Sequence, residues 1–300
     1  MGTIRIGTSE AGGTFHTQGL AIAEVARASG VTDTIVVKSS LSASVGNARR
    51  LAAGELEFGF MASNWIGRAK EGKPPFNCSV ALRMASPVNA GPLFFITLAN
   101  SPLQSVSDLV GRRIAVGLED SGMVQHVHTI FDVLGISFED FTPIYLAFAD
   151  GAAALEAGEV DAQFQCPVPN QVMTDLCQRS EIRILEHGPK HLERLIAAVP
   201  YYRPVVMTAG TLRGLHTDTA QVGVLNVLVT HERVANEMVT EIVSAMAAGA
   251  SELGRLNPLY TGLKTLYEPL RTIGRAAYEI DDVPLHSGAV QAYRDVGLLN

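Results

Sequence analysis

Along the chain, short apolar runs typical of buried strands alternate with stretches in which apolar residues recur at helical spacing. Short apolar runs at 4–7 and 114–117 each lead through a glycine-bearing loop into a stretch with apolar residues at helical spacing. In both halves the order is strand, loop, helix, strand, loop, helix and strand. That order predicts two α/β lobes with parallel sheets.

An internal echo supports the two-lobe prediction. The segment at 51–60 (LAAGELEFGF) returns at 155–164 (LEAGEVDAQF). Each copy has the pattern of a last helical turn, a glycine and a strand. Gly54 and Gly158 fit the position just after a helix, because glycine adopts a positive φ there without steric cost.

The chain is then expected to return to the first lobe. Proline-rich segments at 87–92 and 200–204 are the expected crossings. We therefore predict a discontinuous first lobe (1–87 and 205–300) and a second lobe (88–204), joined by a two-strand hinge with a ligand cleft between them. The returning segment is predicted to form strands at 205–207 and 222–229 and a helix at 235–253.

Charge and composition exclude several classes of protein. The net charge is -7, and Lys and Arg are scattered, which argues against nucleic-acid binding. No apolar run reaches the ~20 residues of a membrane span. Cys78, Cys166 and Cys177 contain no CxxC pair, and we expect free thiols. His126 and His128 do not share a helix face, which argues against a zinc site formed by these two residues. We expect no metal and no cofactor.

The candidate ligand residues lie in loops after the strands, where ligands bind in open α/β sheets. These loops are rich in groups that hydrogen-bond at helix N-termini. Thr14 is expected to cap the first helix, and one polar residue near position 44 to cap the second. Arg83 and Arg203 are candidates to neutralise an anionic ligand. The other candidates are Thr8, Gly13, Phe15, Ser42, Ser44, Asn47, Ser63, Asn64, Trp65, Ser121, Gly122, Gln165 and Pro167.

Catalytic motifs are absent from the sequence. It has neither a GxSxG nucleophile elbow nor a phosphate-binding P-loop. The sequence therefore favours a binding protein without enzymatic activity. The alternatives are a decarboxylase-like enzyme on the same bilobal fold, a ligand-sensing module of a regulator, and a receptor for an ABC importer.

Five motifs, in order along the chain, resemble the TAXI family, the solute receptors of one branch of the TRAP transporters. The first is the loop GTSEAGGTF, which is similar to the family's opening Gly-rich loop. The full set is residues 7–15, 43–47 with Gly54-Glu55, 109–117 with Ser121-Gly122, 200–202 with 209–211, and 284–289.

The resemblance implies a type II periplasmic-binding-protein fold and a periplasmic location, with the signal peptide already removed. It also implies a small-molecule ligand, glutamate or another small organic acid, and delivery to TRAP membrane subunits. Asn64 stands where the family often has an acidic residue suited to an ammonium group. We therefore expect a carboxylate or dicarboxylate without an amine, with a glutamate-like amino acid as the alternative.

Overall fold

The chain divides into two compact units, each described below by itself. The computed structural model describes residues 2–9, 11, 13–31, 34–40, 42–119, 121–165, 168 and 170–300. The first unit joins Met1–Asn89 to Leu225–Asn300, and the second is Ala90–Val224. The chain thus passes from one unit to the other twice, each time within a long strand.

The first unit begins with alternating strands and helices around a parallel sheet. Ile4 pairs with Ile35, and Ile6 pairs with Phe58, so the first strand lies between the next two. Gly54 ends the second helix with a φ of 77°, as the sequence predicts. The elements are β1 (Ile4–Gly7), α1 (Thr14–Ala28), β2 (Ile35–Lys38), α2 (Ala43–Ala53), β3 (Phe58–Ala62), a 3-10 turn (Ser63–Trp65) and α3 (Ile66–Glu71).

The second unit repeats this arrangement. Its strand order is β4-β7-β5-β6, with β5 parallel to both neighbours. The elements are β4 (Leu82–Leu98), a 3-10 turn (Val106–Leu109), β5 (Arg113–Ala115), α4 (Gly122–Leu134), β6 (Thr142–Ile144), α5 (Phe148–Glu156), β7 (Ala162–Gln165), α6 (Gln171–Arg179), β8 (Ile182–Ile184), α7 (Pro189–Ala198), β9 (Tyr202–Met207) and β10 (Thr219–His231).

The first unit is completed by the C-terminal segment. The second half of β10 pairs antiparallel with β3, with Asn226 opposite Ala62. A helix is predicted at 235–253, and the structure interrupts it at Gly249, which packs closely against Val25 of α1. The elements are α8 (Asn236–Ala248), α9 (Ala250–Leu256), a 3-10 turn (Pro258–Tyr260), α10 (Leu263–Ile273), a 3-10 turn (Gly274–Tyr278) and α11 (Ser287–Asp295).

The return to the first unit comes later than the sequence suggests. Residues 205–224 lie in the second unit, because β9 pairs antiparallel with the first half of β10. Tyr202 of the proline-flanked segment is buried there and hydrogen-bonds His126 of α4. The segment 200–204 therefore leads into β9 of the second unit, and the chain does not pass between the units there.

Two of the expected helix caps are wrong. Gly13 occupies the cap position of α1, so Thr14 lies inside the first turn, and the amide of His16 donates to Ser9 Oγ instead. Ser42 is the cap residue of α2, but in the described part of the chain its hydroxyl makes no capping hydrogen bond. In the second unit Ser121 does cap α4, accepting from Val124 N at 3.4 Å.

A matching ion pair links two neighbouring parallel strands in each unit, β1 with β3 in the first and β5 with β7 in the second. Arg5 donates its backbone amide to Glu57 at 2.7 Å, and Arg113 donates its backbone amide to Asp161 at 2.8 Å. Each guanidinium also binds the same carboxylate as its amide does. The Arg113 hydrogen bond lowers the pKa of Asp161, and Glu57 raises the pKa of Arg5. The sequence echo aligns the two carboxylates, Glu57 and Asp161, but not their arginine partners.

A second shared feature is an amide packed over a glycine, with the two positions exchanged. In the first unit Asn47 of α2 covers Gly59 of β3, where a Cβ would lie 3.0 Å from Asn47 Cβ. In the second unit Gln163 of β7 covers Gly151 of α5, where a Cβ would lie 2.5 Å from Gln163 Nε2. The same space between helix and strand is filled from opposite sides.

Replacing Gly288 with alanine is expected to destabilise the protein by about 3 kcal/mol. A Cβ at Gly288 would collide with the backbone oxygen of Asn236 and lie 3.0 Å from Val239 Cβ, so α11 would be forced away from α8. Urea unfolding measures the effect. Gly262→Ala is the matched control, because nothing lies near its Cβ position, and it should change stability by less than about 1 kcal/mol. Equal effects of the two variants would contradict the steric explanation.

Candidate functional site

The ends of β1 and β3 in the first unit are held by buried polar side chains. Asn47 Nδ2 donates to the carbonyls of Thr8 and Phe60, at 3.1 and 2.9 Å. Ser44 Oγ accepts from the amide of Ala62 at 3.1 Å. Thr8 Oγ1 donates to the carbonyl of Lys38. The structure therefore brings Thr8, Ser44 and Asn47 together, with Thr8 and Asn47 donating to the backbone and Ser44 accepting from it.

Helix α1 begins beside these strand ends. Among the described residues, the amides of Thr14 and Phe15 have no hydrogen-bond acceptor, and the cap residue Gly13 supplies no side chain. The Phe15 ring stacks on Phe60, with ring centroids 5.2 Å apart. Free amides in a first turn, together with the helix dipole, favour a negatively charged group.

An uncharged polar cluster lies where α1 meets the two long strands. Gln18 Nε2 donates to Asn89 Oδ1 at 3.2 Å, and Asn226 Nδ2 donates to the same oxygen at 3.4 Å. All three side chains are buried. Within the described residues Gln18 Oε1 has no hydrogen-bond partner. A carbonyl oxygen left in this state costs free energy unless a water or a ligand donates to it.

The 3-10 turn after β3 continues this polar surface. Ser63 is fully buried, and among the described residues its hydroxyl has no partner. The same holds for both amide atoms of Asn64, whose residue is partly buried. Trp65 contacts Phe76 edge to face, with centroids 6.3 Å apart. Ser63 and Asn64 therefore have hydrogen-bonding capacity to spare, whereas Trp65 is engaged in packing.

Neither predicted arginine stands among buried groups. Arg83 forms an ion pair with Glu232 at 2.6 Å. Arg203 donates to the carbonyls of Pro200 and Tyr202. Across the part of the chain that the structure describes, no Lys, Arg, Asp or Glu is buried. The buried polar surface is therefore made of neutral groups.

The second unit places Ser121 and Gly122 at the start of α4 and Gln165 at the end of β7. Gln165 is fully buried, and neither of its amide atoms has a partner among the described residues. Helix α5 begins after Ala147, which cannot cap it with a side chain. Pro167, also predicted to contact the ligand, lies outside the described residues.

Several buried polar residues were missed by the sequence analysis. Gln221 donates to the carbonyl of Leu185 at 3.2 Å, and in the described structure its Oε1 lacks a partner. His187 is 3% exposed, and neither ring nitrogen has a partner among the described residues. Burial lowers the pKa of His187 to about 4, with a smaller contribution from His191. Burial alone lowers the pKa of His126 to about 4. The available signal is a polar residue inside an apolar strand, such as Asn226 or Gln221.

Two surface grooves differ in how they relate to the predicted ligand residues. A groove of about 680 Å³ runs along α8 and α11 and is lined by none of the predicted ligand residues. A second groove, of about 500 Å³, is lined by Asn64 together with Lys70 and Asp281. No three His, Cys, Asp or Glu side chains in the described ranges come together as metal ligands. Every described helix falls short of what a membrane span requires.

Comparison with known proteins gives one family and a common fold. The model of a family described as NMT1-like matches residues 6–297. The periplasmic sulfonate-binding protein SsuA from Methylobacillus flagellatus KT has a TM-score of 0.59 at 15% identity, covering 99% of this chain and 96% of its own.

Two further solved structures show the same fold. The periplasmic aliphatic sulphonate binding protein SsuA from Escherichia coli has a TM-score of 0.56 at 17% identity, covering 100% of this chain and 94% of its own. A TctC solute binding protein from Polaromonas has a TM-score of 0.54 at 14% identity, covering 88% of this chain and 97% of its own. The expected fold, that of periplasmic solute-binding proteins, is confirmed.

Proposed function

The chain belongs to the NMT1-like family, and we propose that it is a solute-binding receptor for a small organic acid anion. Two of the similar structures are sulfonate-binding proteins and a third is a solute-binding protein, and sulfonates are anions. The proposal requires binding and release without a chemical step.

One observation carries the proposal. At the carboxyl ends of the strands, each unit buries neutral polar side chains with unused hydrogen-bonding atoms, such as Gln18 in the first unit and Gln165 in the second. Each unit also has a helix that begins there without a side-chain cap from its cap residue, namely α1 and α5. Free helix amides bind anions, and uncharged amides satisfy the rest of a small polar ligand.

The transporter class is a finer part of the proposal. The five sequence motifs that resemble the TAXI family support delivery of the ligand to TRAP membrane subunits and a periplasmic location. An ABC importer is the competing assignment, because the similar SsuA of Methylobacillus flagellatus KT is named as part of one. Genes for TRAP membrane subunits beside the gene for this chain would favour the first assignment, and genes for an ABC permease would favour the second.

A ligand screen tests the proposal. Succinate, glutarate, propanesulfonate, L-glutamate and L-arginine are each added to the purified protein, and the melting temperature is followed. At a concentration about 100 times Kd, a ligand stabilises the folded state by about 2.7 kcal/mol. We expect at least one carboxylate to raise the melting temperature, with NMR showing no conversion of that compound. Steady conversion, or stabilisation by the basic amino acid alone, would contradict the proposal.

The lack of an amine on the ligand is tested by Asn64→Asp. The new carboxylate should weaken dicarboxylate binding about tenfold or more by charge repulsion and should strengthen glutamate binding. Asn100→Asp, at an exposed turn, makes the same charge change and should leave both affinities unaltered. Tighter binding of glutamate than of glutarate by the unmodified protein would contradict the expectation.

A further inference from the structure

We infer that the ligand is a hydroxylated acid whose hydroxyl groups donate to carbonyl oxygens of buried glutamines. The inference rests on the proposed function and concerns the neutral part of the same ligand. Its starting point is the orientation of two buried side-chain amides in the second unit, which donate to backbone carbonyls.

Two buried glutamines of the second unit have side-chain amides in a fixed orientation. Gln163 Nε2 donates to the carbonyl of Phe148 at 2.9 Å, and Gln221 Nε2 donates to the carbonyl of Leu185 at 3.2 Å. A backbone carbonyl cannot donate, so both side-chain nitrogens are correctly placed. In the described structure the Oε1 atoms of both residues are buried without a partner. Both unused acceptors belong to the second unit.

Gln165 adds an amide with both atoms unused. Gln165 lies on the same face of the sheet as Gln163, because the two residues are two positions apart on β7. Gln165 pairs with Phe94 of β4, and Gln163 pairs with Ile96. Phe94 and Ile96 belong to the apolar core cluster of this unit. An amide held against such neighbours is costly unless a polar group meets it.

The surplus of acceptors defines the group that completes them. A carboxylate that carries no hydroxyl group has no hydrogen to donate and would leave these oxygens without a hydrogen bond. An ammonium donates, but it would be buried without a counter-charge, since the described residues include no buried Asp or Glu. A hydroxyl is neutral, donates one hydrogen bond and accepts others, and so also matches the donor and acceptor of Gln165.

Matched series of compounds test the inference by calorimetry on the purified protein. One series is succinate, malate, tartrate and aspartate, and the other is adipate, galactarate and the neutral polyol galactitol. We expect affinity to rise about tenfold with the first added hydroxyl in at least one series. Acids that bind equally well with and without hydroxyls would overturn this inference and leave the proposed function standing. Tightest binding of aspartate would also overturn it.

The neutral polyol distinguishes failure of the inferred hydroxyl donors from failure of the proposed organic acid anion. Binding of galactitol but of no acid would reject the organic acid anion and retain the hydroxyl donors. Binding of none of these acids or of the polyol would overturn the inference, and failure of all carboxylates in the screen above would overturn the proposed function as well.

Gln165→Leu supplies the matching variant. Because its neighbours are apolar, leucine should leave the melting temperature of the ligand-free protein unchanged or higher. It should weaken binding of the hydroxylated acid about tenfold and binding of the acid without hydroxyl groups far less. Gln104→Leu, an exposed position of the same unit, is the control and should change neither affinity. Equal weakening of both acids by Gln165→Leu would show that the residue does not recognise the hydroxyl.

Discussion

The free energy of unfolding is expected to fall by about 4 kcal/mol between about pH 7.5 and about pH 5, because two buried histidines stay neutral in the folded protein. Burial lowers the pKa of His126 and of His187 to about 4, against about 6.5 for an unfolded chain. Between these values each of these two histidines is protonated in the unfolded state and neutral in the folded state. Stability from these groups is therefore lost as the pH falls from about 6.5 to about 4, and does not change further below that.

Carboxylates act in a different pH range. Hydrogen bonds from Arg113 and Arg179 lower the pKa of Asp161 and of Glu156 in the folded protein. The stability that they contribute is present above the unfolded pKa of about 4 and is lost as the pH falls below it. A decline that begins near pH 6.5 is therefore the signature of the histidines.

Urea unfolding at both pH values, on variants, assigns the effect. His187→Leu and His126→Leu should each reduce the difference in unfolding free energy between the two pH values by about 2 kcal/mol. This comparison holds even if a variant is less stable overall, because each variant is compared with itself. His128→Leu is the control, since His128 is exposed on the same helix as His126. A reduction of equal size in the control would show that burial is not the cause.

The second large effect is expected from Asn47→Ala, with a loss of about 3 kcal/mol. Asn47 is fully buried, and its amide donates to the carbonyls of Thr8 and Phe60. Alanine leaves both carbonyls without this donor and opens a space above Gly59. The buried site cannot collapse readily, because the backbone of two strands forms its wall.

The counterpart in the second unit gives an internal comparison. Gln163 makes one such hydrogen bond, to the carbonyl of Phe148, so Gln163→Ala should cost about half as much. Asn100→Ala, at an exposed turn, should change stability by less than about 0.5 kcal/mol. Urea unfolding measures all three. An Asn47→Ala variant as stable as Asn100→Ala would mean that its two hydrogen bonds are replaced by water at no cost.

The repeated strand and helix order was predictable because each element carries its own signal. Gly54 and Gly158 both have a positive φ after a helix, as the echo in the sequence predicts. Parallel strands with helices between them then follow from the order alone. The expected return at 205 differs from the structure, because the pairing of β9 with β10 depends on residues that are distant from the prolines.

The sequence predicts which loops carry polar residues, but not the hydrogen bonds that these residues make. The loops after the strands do carry Thr8, Ser44 and Asn47, yet their hydrogen bonds go to the backbone of neighbouring strands. A one-dimensional pattern shows that a residue is polar, but its partner is fixed only by tertiary packing. For this reason Thr14 was wrongly assigned as a cap, and Gln18 was overlooked.

The path of the chain through the two units also governs how the protein can form during synthesis. When the first 89 residues have left the ribosome, one edge of β3 is still open, because its partner residues 226–230 do not yet exist. An open strand edge invites pairing with another chain. The whole second unit must emerge before residues 226–230 can cover that edge.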